Sequence, residues 1–344
     1  MNDCTLSSKG PYKSLDVASQ FSHLFWMGDL NYRINIKGVK GYEAVNGDFA
    51  KEWAAVKGLV DKLPDDKHAL ATLQEGDELS TRMNDDPAQS KVFAGFQTQP
   101  PTFKPTFKVK KAFDLSYVEK RVPSWCDRVL WKSLPGFAGH VHPQLYEACK
   151  EYKTSDHKPI RAGFEVEILK QLPAPEMRTK VLYFAITGLK ASILEHMWAD
   201  RNHDVPDPFI QFLPEPVDLA ISHLDEKAVK KGMRFGKDKL VKTHTINNTY
   251  EPNWSVKKKD LTIAVKVCEL ADLDSCHIHL SVMDHDTLTK HDAVGSISIN
   301  LGAAYRSQSP YTLDHAPLVM DGMLRGTISC VISAHQDLSD IYHN

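Results

Sequence analysis

The stretch Phe25-Trp26-Met27-Gly28-Asp29-Leu30-Asn31-Tyr32-Arg33 sets a carboxylate two residues from an amide. Val122-Pro123-Ser124-Trp125-Cys126-Asp127-Arg128-Val129-Leu130-Trp131 puts a carboxylate beside a guanidinium, and Thr154-Ser155-Asp156-His157-Lys158-Pro159 puts one beside an imidazole. An Asp–Asn, an Asp–Arg and an Asp–His pair are the equipment for metal-assisted attack of water on a phosphate ester. A carboxylate can take the proton of the water, amide and cationic donors can hold phosphate oxygens, and hard oxygen ligands suit a divalent ion. Each stretch alone is weak: Gly-Asp-Leu-Asn is a common turn sequence, and Ser155-Asp156-His157 also reads as a capping turn with a surface histidine. Their joint occurrence carries the reading.

These residues need strand ends and loops to hold them. The first two stretches mix large apolar side chains with titratable ones, as buried strands do where they open into a site. Strand-like runs fall at Ser22–Met27, Val129–Trp131 and Ile160–Val166. Phe49, Trp53, Val56, Val60 and Leu63 recur at spacings of three and four, which predicts a helix over Asp48–Leu63 ended by Pro64. Pro100-Pro101-Thr102-Phe103-Lys104-Pro105 predicts an extended loop, and the Pro-rich stretch from Gln171 to Glu176 a domain boundary.

Beyond that boundary the pattern changes to short β-type runs between polar turns: Val181–Thr187, Phe209–Phe212, Val241–Ile246, Leu261–Val267, Ile278–Met283, Ala293–Ile299 and Thr327–Ser333. This spacing predicts an antiparallel β-sandwich interrupted by one helical insert at about Asp218–Lys231.

Bulk properties narrow the class. The 344 residues suffice for two domains, and 42% hydrophobic with 25% charged residues is a globular composition. A net charge of −2 gives no overall basic field for nucleic acid, although Lys104–Lys111 and Lys257–Lys259 are locally basic. No apolar run reaches the length of a membrane-spanning helix, and the first twenty residues have no signal-peptide core. Six cysteines without metal-type spacing read as reduced thiols, which predicts a cytoplasmic protein that can sit at a membrane surface.

The three stretches resemble the F-W-x-G-D-x-N-[FY]-R, R-x-P-[SA]-W-C-D-R-[VI]-L-W and S-D-H-K-P signatures of the inositol polyphosphate 5-phosphatases. Phe103-Lys104-Pro105-Thr106-Phe107-Lys108 resembles that family's F-x-P-T-Y-K element. The resemblance implies Mg²⁺-dependent removal of a 5-phosphate from phosphoinositides or soluble inositol phosphates. Asp29 is then the general base, Asn31 a phosphate contact, His157 a donor to a phosphate oxygen, and Asp127 the group that orients His157. Asp156 is expected in or beside the Mg²⁺ shell, and Lys120, Arg121, Arg128 and Lys132 are expected to hold neighbouring phosphates. Phe113 stands where many relatives carry a tyrosine. In the family the sandwich begins well upstream of the G-D-x-N strand and there supplies a Mg²⁺-binding glutamate. Met1–Gln20 contains no glutamate, so the expectation is that this half, and its cover for the apolar sheet face, is missing.

Residues 180–335 resemble a C2 domain. Asp207-Pro208-Phe209-Ile210 is similar to its S-D-P-[YF]-V element, Glu251-Pro252-Asn253-Trp254 to its N-P-x-W turn, and Asp284, Asp286 and Asp292 to its third calcium loop. The resemblance implies Ca²⁺ ligation by Asp207, Asp284, Asp286 and Asp292, with Asp200, or its rival Asp204, completing the set. A calcium-independent module whose aspartates only form turns is the alternative. Neutralised loops would accept an anionic membrane surface.

The expected fold class is thus α/β plus all-β: a partial endonuclease/exonuclease/phosphatase-type α/β sandwich followed by an antiparallel C2 β-sandwich. The expected boundaries are an unassigned segment at 1–20, the catalytic domain at 21–168, a linker at 169–179 and the C2 domain at 180–335. Two other functions fit the same residues. One is a catalytically inactive, calcium-dependent phospholipid-binding protein that keeps a truncated phosphatase domain. The other is a nuclease of the same superfamily, which the Arg121-Val122-Pro123-Ser124-Trp125-Cys126-Asp127-Arg128 block argues against.

Overall fold

A computed structural model describes residues 11–45, 47–84, 93–194, 205–219, 221–224, 241–257, 261–285 and 292–337. The chain divides into two compact units: one of 23–132 with 139–167, the other of the described residues of 1–22, 133–138 and 168–344.

In the first unit, β1 (His23–Asp29) leads through a long loop to α1 (Phe49–Asp61), α2 (Lys67–Glu75) and α3 (Glu78–Asn84). β2 (Gln97–Thr98), β3 (Asp127–Ser133), β4 (Val141–Ala148) and β5 (Ile160–Val166) follow. β1, β3 and β2 form one sheet in that order, and β4 pairs antiparallel with β5. The helix expected from spacing is α1, capped by the Asp48 side chain, which accepts from the Lys51 N–H at 3.2 Å. Such a cap contributes about 1 kcal/mol. Val56, Leu59 and Val60 bury one face of α1 against Ile34, Ile36, Leu73 and Trp125, each worth roughly 1.5–3 kcal/mol in apolar burial. At the end of α2, Gly76 passes so close to the 34–36 segment that a Cβ there would lie 2.9 Å from the Asn35 carbonyl oxygen. Asn35 donates to the Gly76 carbonyl at 2.7 Å, so this contact ties the loop after β1 to the helices.

β3 carries the buried run Val129, Leu130 and Trp131, and within it the fully buried Arg128. Its guanidinium is matched by Asp77, which also takes the Ser80 hydroxyl at the start of α3. Strand and helices are therefore linked through one buried ion pair.

Among the described residues, the second unit is a single antiparallel ladder of nine strands. They are β6 (Lys180–Ile193), β7 (Pro208–Glu215), β8 (Ile221–Leu224), β9 (Val241–Lys242), β10 (Leu261–Val267), β11 (His277–Asp284), β12 (Asp292–Asn300), β13 (Tyr311–Met320) and β14 (Met323–His335). Their order is β8-β10-β6-β14-β13-β12-β11-β7-β9. A helix, α4 (Leu301–Arg306), follows β12. The ladder wraps a core that includes Leu182, Phe184, Phe212, Ile263, Leu280 and Ile328. Around it pack the residues expected to form a linker, with Arg178 donating to the Pro173 carbonyl at 2.7 Å and to the Asp218 carboxylate at 2.9 Å.

Two expectations change. The helix expected at Asp218–Lys231 is not helical where it is described: Ile221–Leu224 pairs with β10 along its otherwise open edge. An available row of backbone donors and acceptors outweighs local helix propensity there; residues 225–231 lie outside the described residues. The N-terminal segment, unassigned by pattern, belongs to the second unit. Asp16 is buried, donates its N–H to Ser296 Oγ at 3.2 Å and accepts from the Gly322 N–H at 2.8 Å.

Candidate active site

The candidate site lies in the first unit. β1 ends at Asp29, and the next residue, Leu30, donates its N–H to the Cys126 carbonyl at 2.8 Å. This bond sets the end of β1 beside the start of β3, where Asp127 stands. His157 arrives from the loop before β5, and the segment 106–109 locks that loop in place. Lys158 donates to the Thr106 carbonyl at 2.9 Å and Val109 to the Asp156 carbonyl at 3.0 Å. On its other side the same segment exchanges backbone bonds with Ser124. The four residues 106–109 therefore join the second and third stretches of the sequence.

Asp127 accepts the Thr106 hydroxyl at 2.7 Å and faces Nδ1 of His157 at 3.1 Å, both on Oδ2. With Nδ1 so engaged, Nε2 is the nitrogen turned to Asp29, whose Oδ2 lies 3.9 Å away. The other Asp29 oxygen accepts the Asn31 N–H at 3.0 Å, an Asx-type turn that settles Asn31 at φ 60°. The Phe107 ring lies 4.4 Å from the His157 ring, and the Arg33 guanidinium carbon 4.6 Å from the same ring centre. A carboxylate at the end of β1, the amide just after it and an oriented imidazole from the loop before β5 are thus brought together.

Ligand atoms of Asp29, Asp127 and His157 lie within 4.8 Å of one another, the close group of this kind among the described residues. Mg²⁺ takes one or two carboxylates and keeps several waters, so this donor set fits a hydrated ion. Asp156, expected in that shell, is instead paired with the Lys108 ammonium. The hydrogen bond from Lys108 holds the Asp156 carboxyl below the usual carboxylate range, a shift that burial slightly opposes. Lys108, part of the locally basic Lys104–Lys111 stretch, is therefore a site neighbour.

The expected phosphate-holding cations separate. Lys120 and Arg121 are exposed on the loop before β3. Arg128 is fully buried on Asp77 and cannot meet a ligand, because each unpaired buried charge would be left uncompensated. Lys132 lies five residues along β3 from Asp127, about 17 Å at the rise of a strand, and donates to the Ala94 carbonyl at 2.9 Å. The neighbouring Cys126 is no nucleophile: burial pushes its thiol up to about 12. The residues missed as site members are Arg33, Thr106, Phe107 and Lys108, although the last three sit in the Phe103–Lys108 stretch already singled out.

In the second unit, Asp284 Oδ1 accepts the Asp207 N–H at 2.7 Å, and Asp207 Oδ1 accepts the Asn248 N–H at 2.6 Å. Asp284 and Asp292 are register partners on β11 and β12. These three expected Ca²⁺ ligands gather at one end of the ladder; Asp200 and Asp286 lie outside the described residues. No described helix is long and apolar enough to cross a membrane.

Comparison with known proteins finds the profile described as Endonuclease/Exonuclease/phosphatase family 2 at residues 2–163 and that of the C2 domain at 228–315. The chain is 32% identical over 165 residues to phosphatidylinositol 3,4,5-trisphosphate 5-phosphatase 1 of Homo sapiens, covering 45% of this chain and 12% of that protein. It is 25% identical over 271 residues to phosphatidylinositol 3,4,5-trisphosphate 5-phosphatase 2B of Danio rerio, covering 74% of this chain and 19% of that protein. The chain thus spans less than a fifth of the length of these curated relatives. Among solved structures, a Cimex nitrophorin in a ferrous NO complex is similar at 30% identity with a TM-score of 0.32, covering 43% of this chain and 42% of that one.

Proposed function

Since the chain carries an Endonuclease/Exonuclease/phosphatase family 2 domain followed by a C2 domain, we propose that it hydrolyses the 5-phosphate of phosphoinositides or inositol polyphosphates at a membrane surface. The observation that carries this reading is the Asp127–His157–Asp29 arrangement, with Asp127 on Nδ1 and Asp29 opposite Nε2. A carboxylate held on Nδ1 fixes the ring and turns Nε2 toward the site. His157 then presents Nε2–H to a phosphate oxygen and stabilises the charge that grows there during attack.

Asp29 takes a proton from the attacking water as its oxygen bonds to phosphorus, and the bond from phosphorus to the inositol oxygen breaks. The leaving oxygen takes a proton from solvent, and Asp29 returns its own. Asn31 donates to a phosphate oxygen and keeps the group in line. Asp29, the carboxylate of the close group that is not engaged by His157 Nδ1, would hold a hydrated Mg²⁺, which when bound would neutralise charge on the phosphate; Asp156 would join it only if released from Lys108. Lys120 and Arg121 remain free to meet neighbouring phosphates as exposed cations. In the second unit, Asp207, Asp284 and Asp292 would hold Ca²⁺ and make that end receptive to anionic headgroups, which supports peripheral membrane association.

The test is phosphate release from vesicles that contain a 5-phosphorylated phosphoinositide. Release that is lost in Asp29→Ala, in His157→Ala and on chelation of Mg²⁺ supports the reading; release that survives both substitutions sinks it. The ion pair between Lys108 and Asp156 favours a second reading, a non-catalytic calcium-dependent lipid binder, since it occupies an expected Mg²⁺ ligand. That reading requires no release together with calcium-dependent vesicle binding abolished by Asp284→Ala.

A further inference from the structure

We propose that Arg33 is a positioning residue that fixes the donor face of Asn31, an inference that rests on the phosphatase reading above. Nη2 of Arg33 donates to Oδ1 of Asn31 at 2.8 Å. A guanidinium carries donors and no acceptor, so this contact decides the orientation of the amide: oxygen toward Arg33, NH₂ away from it. The two ends of a free amide are nearly alike in shape and can exchange. Held this way, Asn31 offers only N–H donors to the site, which is what a phosphate oxygen accepts.

Arg33 is itself held in place. Its backbone N–H donates to the Glu78 carboxylate at 2.9 Å, and its guanidinium lies against the Phe107 ring, which on 4.4 Å contact also supports His157. Phe107 is therefore a common plate that sets the Arg33–Asn31 pair and His157 in one register. Among the described residues, no carboxylate pairs with the Arg33 guanidinium, and its buried Nη1 has no hydrogen-bond partner. Its charge stays uncompensated beside Asn31, where it raises the local affinity for an anion. Lysine cannot reproduce this geometry, because a point ammonium cannot lie flat on a ring and donate in plane to an amide.

The decisive experiment is a double-mutant cycle on the full chain, with a soluble 5-phosphorylated inositol phosphate as substrate. Arg33→Met is expected to lower kcat on the order of 30-fold with KM changed less than about threefold, the pattern of an interaction made in the transition state. In an Asn31→Ala background the same substitution is expected to change kcat less than about twofold, since its target is gone. Losses that add in the double variant, or full rescue by Arg33→Lys, overturn the proposal. A second readout does not need turnover. The side-chain NH₂ order parameter of Asn31 is expected to fall from about 0.8 to below about 0.6 in Arg33→Met; an unchanged value overturns the proposal. If the unsubstituted chain releases no phosphate, the phosphatase reading fails, and the order parameter still decides the role of Arg33.

Discussion

Nδ1 of His157 lies 3.1 Å from Oδ2 of Asp127, and that contact leaves Nε2 as the nitrogen that faces Asp29. The carboxylate fixes the orientation of the ring, so replacing it should free the imidazole to turn its nitrogens away from the site. Asp127→Asn is expected to lower kcat by at least about 100-fold. A kcat within about threefold of the unsubstituted chain would show that Asp127 does not orient His157.

Thr106 supports the same carboxylate, its hydroxyl 2.7 Å from the Asp127 Oδ2 that also faces His157. Thr106→Val keeps the shape and removes the donor. The expected result is a fall in kcat of roughly tenfold with about 1 kcal/mol lost in stability. Measured kcat and urea unfolding together check it; a loss of stability without a loss of rate would make Thr106 a packing residue only.

Arg128 and Asp77 form a buried pair that joins β3 to α3. Removing either partner leaves the other as an uncompensated buried charge, so Asp77→Asn or Arg128→Met should cost about 3–5 kcal/mol. The double replacement should cost less than the sum. Denaturant unfolding of the four proteins measures this, and strict additivity would show that the two charges do not depend on each other.

Lys158 is fully buried, and its ammonium donates to the carbonyls of Ala112, Lys150 and Tyr152. It thereby ties two loops together next to His157. Lys158→Met leaves three carbonyls without a donor and is expected to destabilise the first unit by about 2–4 kcal/mol. Amide hydrogen exchange at 110–114 and 150–153 should rise before the rest of the unit; a uniform change would contradict the local role.

His279 is buried on β11, and burial, aided by the neighbouring His277, lowers its pKa to about 3. The unfolded chain takes up this proton near pH 6.5 while the folded one does so only near pH 3, so stability is complete above the unfolded value and falls as the pH drops between them. From pH 7.5 to pH 5 the loss amounts to about 2 kcal/mol, at roughly 1.4 kcal/mol per unit. His279→Gln should flatten the fall in Tm over that range; an equally steep fall in the variant would place the acid sensitivity elsewhere.

The chemistry was legible where it depends on neighbours along the chain. The Asp–Asn turn needs only residues two apart, and the Gly28–Arg33, Pro123–Arg128 and Ser155–Pro159 stretches name their own donors and acceptors. The apolar spacing of α1 and the runs that become β5 and β10 were legible for the same reason, since a regular period reflects one buried face. Tertiary structure decided the rest. Arg128 reads as one more cation for phosphate until Asp77, fifty-one residues away in sequence, is seen to take it into the interior. Lys132 directly follows the motif that holds Asp127, yet the rise of β3 carries it away from the site. Asp156 reads as a metal ligand, and it is Lys108 across the loop that claims it. Ile221–Leu224 has helical context, but the open edge of β10 makes it a strand. Residue type and local spacing determined which reactive groups the protein has. Only long-range pairing of strands and burial of charge decided which of them meet, because those energies depend on partners that no local window contains.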